Sequence, residues 1–141
     1  MKRNKKWIMA ITIMSVLSST VMHAAPIEKI ELRNPIPIFD YINQMNSSLE
    51  ISQNGKATVT GYIRTMTGEN VALTVRLQQY TGGKWNTLYS WSDEDLYSCL
   101  LQKERIVSQG YSYRVETTGK VYDAKGKLVE SVTVHSQTEY Y

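Results

Sequence analysis

"SQGYSYRVETTGKVYDAKGKLVESVTV", residues 108 to 134, decides how this chain is read. After Gly110, the residues Tyr111, Tyr113, Val115 and Thr117 alternate with Ser112, Arg114, Glu116 and Thr118. A period of two sends alternate side chains to opposite faces of a strand. "DAKGK", 123 to 127, supplies turn chemistry, and the stretch from Leu128 to Val134 returns to strand-forming residues. The pattern predicts two antiparallel strands. A glycine corner followed by a strand tyrosine also suggests a tyrosine corner, in which the phenol hydroxyl ties the turn down. Gly110, Tyr111 and Tyr113 are therefore expected as structural corner residues, with a tyrosine-lined binding face as the alternative use of the same spacing.

Upstream, the same alternation recurs in Leu49 and Ile51, in Ala57, Val59 and Ile63, and in Val71, Leu73, Val75 and Leu77. "QNGK" at 53 to 56, "TGEN" at 67 to 70 and "TGGK" at 81 to 84 fall between these runs as turns. Strands are expected near 48–53, 56–65, 70–80, 84–91, 96–107, 110–122 and 128–139. With no amphipathic helical pattern, the fold class is all-β: a single antiparallel immunoglobulin/fibronectin III-like β-sandwich of about seven strands.

The remaining segments divide the chain. Lys2, Arg3, Lys5 and Lys6 precede an apolar run from Trp7 to Leu17, the form of a signal peptide spanning 1–25, with Ala24 and Ala25 near the cut. The run is too short and too interrupted by Ser and Thr for a comfortable membrane span. Residues 26–46 hold all three prolines and read as an extended arm. Residues 47–141 form the sandwich. Loss of the leader takes Lys+Arg from 16 to 12 against 13 Asp+Glu, so the formal charge moves from +3 to −1. Such a chain has no electrostatic reason to bind nucleic acid or anionic membranes. A secreted protein with no stable membrane anchor is expected.

Three stretches carry a resemblance: "SSLEISQNGKATVTGYI", "VRLQQYTGGKWNTLYSWS" and "SQGYSYRVETTGKVYDAKGKLVES". The chain resembles a family of small secreted proteins of Gram-positive, clostridial-type bacteria that has no assigned activity. The marks are Gly55 to Ala57, Leu77 to Tyr80, Gly83 to Trp85, Trp91, and Gly110 to Val115. The resemblance implies export and an immunoglobulin-like sandwich. Val59 departs from it, standing where many relatives are expected to carry cysteine.

Catalytic material is sparse. Once the leader is removed His135 is the only histidine, and Cys99 is the only cysteine, so no intramolecular disulfide can form. Cys99 reads as a small core residue and His135 as an exposed strand residue. Neither has a third group to orient it as a nucleophile or base, so no enzyme and no cofactor are expected. Asp93, Glu94 and Asp95 read as a solvated acidic turn; they lack the spaced ligands and glycine of a Ca²⁺ loop, and no metal site is expected. The aromatic set Tyr80, Trp85, Tyr89 and Trp91 is the candidate ligand-binding group, with the last three expected on one strand face. Buried, these rings fill a core; exposed, they offer a platform for sugars or a partner peptide. Trp85, next to the glycine turn, is the expected exposed anchor, and Trp91 the expected core residue. A binding protein for cell-wall glycan or another extracellular protein follows, with self-association through the "VTVHSQTEYY" edge as a further alternative.

Overall fold

The computed structural model describes residues 40–141. The expected leader and most of the expected arm lie outside the described residues. Eight strands follow in order: β1 (Ile42–Ile51), β2 (Lys56–Thr65), β3 (Asn70–Thr81), β4 (Lys84–Leu96), β5 (Ser98–Ile106), β6 (Ser112–Tyr122), β7 (Leu128–His135) and the short β8 (Glu139–Tyr140). They form two antiparallel sheets, one ordered β1-β2-β5 and the other β4-β3-β6-β7, with β8 continuing beside β6. Three strands face four, the immunoglobulin/fibronectin III-like arrangement in which the fourth strand pairs with the third rather than with the fifth.

Alternation explains the core. In β3, Val71, Leu73, Val75 and Leu77 are all buried, while the residues between them face outward. β6 does the same with Tyr113, Val115, Thr117 and Val121, and β2 with Ala57, Val59 and Ile63. Each such aliphatic side chain contributes about 1.5–3 kcal/mol through removal from water. Gly61 and Gly119 interrupt the pattern for a steric reason. A Cβ on Gly61 would lie 2.3 Å from Val75 Cγ2, and one on Gly119 would lie 2.6 Å from Ile63 Cδ1. The missing side chains let the opposite sheet's residues sit against the backbone.

Three boundaries differ from expectation. β1 begins at Ile42 rather than near 48, so the end of the expected arm is strand; the Glu130 carboxylate accepts the backbone N–H of Tyr41 (2.9 Å) and Ile42 (3.1 Å) where the chain enters the sheet. β4 does not stop near 91 but runs on through Asp93, Glu94 and Asp95, which pair with Leu73, Ala72 and Val71 and so form strand, not a turn. The expected last strand, 128–139, is divided into β7 and β8.

β4 passes to β5 in the other sheet through one residue, Tyr97, at φ 75°. Left-handed backbone is uncommon for a bulky residue and costs about 1–2 kcal/mol. The corner is held on both sides: Tyr97 N–H donates to Glu69 O (2.9 Å), and its carbonyl accepts from Thr65 N–H (2.9 Å). The Tyr97 ring lies 4.9 Å from the Arg64 guanidinium carbon, and its hydroxyl accepts from Arg64 Nε (2.8 Å).

Candidate functional site

The aromatic set does not share one face. Leu77 opposes Tyr89, but the next residue, Gln78, opposes Thr87, so Leu88 is left without a partner as a β-bulge. One extra residue reverses the alternation. Trp91 and Tyr89 consequently share the inner face with Val75 and Leu77, whereas Trp85 shares the outer face with Tyr80. The expectation of Trp85, Tyr89 and Trp91 on one strand face is thus corrected by the bulge.

On the outer face, Tyr80 is 45% exposed and meets Trp85 with ring centroids 5.2 Å apart at an angle of 58°. Arg114 from β6 lies 4.4 Å above the indole and donates from Nε to Gln78 Oε1 (2.8 Å). The chain of contacts continues across the sheet. Gln78 Nε2 reaches Glu116 Oε2 at 3.4 Å, Arg76 Nη1 bonds Glu116 Oε1 at 3.1 Å, and His135 Nε2 lies 3.3 Å from Glu116 Oε2. Trp85 therefore has one ring face covered by a cation, and the two rings of the pair do not form a flat surface. Half-exposed pairs of this kind contribute about 1 kcal/mol of cation–π and charge-assisted stabilisation.

Tyr89 and Trp91 stand where the two sheets open. β5 and β4 are edge strands of their sheets and lie on the same side of the sandwich. The two rings are nearly parallel (16°, centroids 5.8 Å apart). Arg105 of β5 reaches across the opening, 5.2 Å from the Tyr89 centroid and 5.4 Å from that of Trp91. Trp91 packs partly against the core, and Tyr89 is 40% exposed. Just below, Leu88, Tyr89 and Ile106 rim a hollow of about 350 Å³ that is also lined by Val107, Tyr113 and Gln79. Ile106 is 68% exposed and Leu88 is exposed by the bulge. Above the rings, Asp93 and Asp95 lie on the inner face and Glu94 on the outer, which separates the three carboxylates. Among the described residues no cluster of three metal-ligating side chains forms.

The corner is made by one tyrosine. Tyr113 is fully buried (0%), donates its hydroxyl to Ser108 O (2.7 Å) and accepts from Gln79 Nε2 (2.9 Å). Tyr111 precedes β6, is 39% exposed, and does not join Tyr113 on the inner face as the alternation predicts. The backbone turns before the strand begins, so the period of two starts at Ser112. Gly110 has φ 88°, the left-handed conformation that glycine adopts without a Cβ clash.

Cys99 and His135 are separated by the larger sheet. Cys99 is buried on the inner face of the smaller one, where burial, together with Asp93 and Asp95, pushes its thiol up to about 11. His135 lies on the outer face opposite Glu116. A larger hollow, about 530 Å³, occupies the far end of the outer face beside Asn70, Glu94, Leu96 and Tyr122. Close to it, the Thr67 hydroxyl holds the Glu69 carboxyl below the ordinary carboxylate value.

Alternation alone does not find Arg105, Leu88 and Ile106. Their significance comes from the packing of β4 beside β5 across the sandwich opening, which no local pattern encodes. No family model matches the chain, and no curated protein matches it in sequence.

Proposed function

We propose that this chain is a secreted, non-catalytic interaction module that recognises another extracellular protein through the opening between β4 and β5. The observation that carries this reading is the exposed apolar rim of Leu88, Tyr89 and Ile106 around the 350 Å³ hollow, set between two strands whose outer edges are unpaired among the described residues. Exposed apolar patches on a small domain favour partner binding, and free strand edges add backbone donors and acceptors. Export is supported by the basic and apolar leader of residues 1–25.

A cell-surface carbohydrate-binding module is less well supported. Sugar rings stack on open aromatic faces, yet Arg114 lies over Trp85 and Arg105 over both Tyr89 and Trp91. A glycan would first have to displace a guanidinium from each platform.

A photo-crosslinking amino acid placed at position 88 or 106 in the producing cells tests the reading, with position 131 on the outer face of β7 as control. One discrete protein adduct from 88 and 106, but not from 131, is the expected result. No adduct, together with retention on purified wall polysaccharide that Trp85→Ala removes, would replace the protein partner with a glycan.

A further inference from the structure

Among the described residues, the smaller sheet has one strand too few to cover its partner. β1 lies against β6 and β7, β2 against β3 and β6, and β5 alone is shared between β3 and β4. The consequence is visible in burial: the alternating inner residues of β3 are all buried, whereas no residue of β4 is. A strand added to the free edge of β5 would extend the smaller sheet over β4, covering Tyr89 and Trp91.

The side chains along that edge restrict what such a strand can be. Lys103 and Arg105 share the inner face with their β2 partners Val59 and Ala57, so they point into the opening rather than away from it. Inward charges on an edge strand oppose pairing with an apolar or basic segment, because each would be desolvated without a partner. Neither Lys103 nor Arg105 forms an ion pair among the described residues, while the neighbouring Glu104 is already taken by Lys56 at 3.1 Å. At this end of the edge Lys56, Lys103 and Arg105 outnumber Glu104, while the inner-face carboxylates of Asp93 and Asp95 lie toward Tyr97, beside Cys99. Carboxylates directly opposite Lys103 and Arg105 would sit at cross-strand distance, where opposite charges attract. Apolar residues alternating with them would lie beside Ile106.

We infer that the β5 edge accepts an extended acidic segment of a partner protein, with carboxylates at every second position to pair with Lys103 and Arg105. This rests on the reading of the β4–β5 opening as a docking surface and names the chemistry of what docks there. The inward cations, which keep this edge from pairing indiscriminately, become its selectivity: only a strand that brings its own negative charges can close the sheet. Arg105 links the rings to the edge: its guanidinium stacks on Tyr89 and Trp91 and gives Nη1 to the Glu104 carbonyl (2.8 Å), which leaves its remaining donors for a carboxylate.

The probe is a seven-residue peptide of alternating glutamate and valine, with a lysine–valine peptide as its counterpart, titrated into the ¹⁵N-labelled chain. The acidic peptide is expected to shift the amides of Gln102 to Ile106 and of Tyr89, and to bind at least about ten-fold more weakly when ionic strength is raised from 0.05 to 0.5 M, through screening. Arg105→Glu should abolish the response. Because that change also removes the stacking on Tyr89 and Trp91, Lys103→Glu, at an exposed side chain, is the companion variant and should weaken binding about ten-fold with the melting transition retained. Equal response to the lysine peptide, shifts confined to β1 or β7, no shift at millimolar peptide, or self-association of the chain through β5 would each overturn the inference. A discrete crosslinked partner at position 106 together with any of these results would leave the docking surface standing and remove only its acidic selectivity.

Discussion

Replacing Tyr113 with phenylalanine deletes one oxygen from the inside of the sandwich and leaves its shape intact. That oxygen makes two hydrogen bonds, donating to Ser108 O at 2.7 Å and accepting from Gln79 Nε2 at 2.9 Å. Two buried bonds with no replacement would cost about 2–3 kcal/mol. Ser108 is exposed, however, and Gln79 only partly buried, so water recovers a share of both groups. The expected loss for Tyr113→Phe is therefore about 1–2 kcal/mol, or roughly 5–15 °C in the melting temperature for a domain of this size. Tyr113→Ala removes the ring as well and should cost about 3–5 kcal/mol. Tyr111, exposed and with no hydroxyl partner among the described residues, supplies the control, and Tyr111→Phe should stay within about 0.5 kcal/mol of wild type. Urea titration followed by tryptophan fluorescence measures all three on one scale. If Tyr113→Phe matched wild type, or Tyr111→Phe cost as much, the corner would not be held by Tyr113.

Three further outcomes are expected. Gly61→Ala should destabilise by about 1–3 kcal/mol in thermal unfolding, because the new methyl group meets Val75 and Thr117 at once and one sheet must move. Cys99 should react with a disulfide reagent at pH 8 about 100-fold more slowly in the folded than in the unfolded chain, as a thiol with pKa near 11 is almost wholly protonated there. Its folded value is raised, so the stability it contributes is complete below about pH 9 and is lost as pH rises toward 11, which denaturant titrations across that range will register. Trp91→Ala should cost about 2–4 kcal/mol, since the ring packs on the core, and Trp85→Ala about 1 kcal/mol, since it leaves only an outer-face contact with Arg114 and Tyr80.

The strands with a strict period of two could be read directly from the chain. β2, β3 and β6 each keep a regular period of two, with inner rows that are mostly aliphatic and broken in β2 and β6 by Gly61 and Gly119 and by Tyr113 and Thr117, and the core of both sheets follows from those rows. β4 was harder for two reasons. The bulge at Leu88 has no glycine or proline to mark it, so the phase of Trp85 relative to Trp91 could not be deduced from spacing. Farther along, the carboxylates of Asp93 to Asp95 have low strand propensity, and only their pairing with the strongly strand-forming Val71–Leu73 of β3 extends β4 through them. β1 was obscured in the same way by Asn43, Gln44 and Asn46, polar residues on a strand fixed by its partner β2. The opening between β4 and β5 depends on a contact between different sheets. Arg105 could be recognised as part of it only once Tyr89 and Trp91 lay across from it.

Tyr97 gives the opening a mechanical asymmetry. At its upper end β4 and β5 are joined by this single residue, whose backbone is tied to Thr65 on one side and Glu69 on the other. At the lower end, near Leu88 and Ile106, no ladder of backbone bonds joins the two strands, which belong to different sheets. The pair is thus built like a clothes peg with its spring at Tyr97. The backbone therefore ties the two strands together beside Cys99, whereas at the apolar rim they meet through side chains, among them Arg105 against Tyr89 and Trp91.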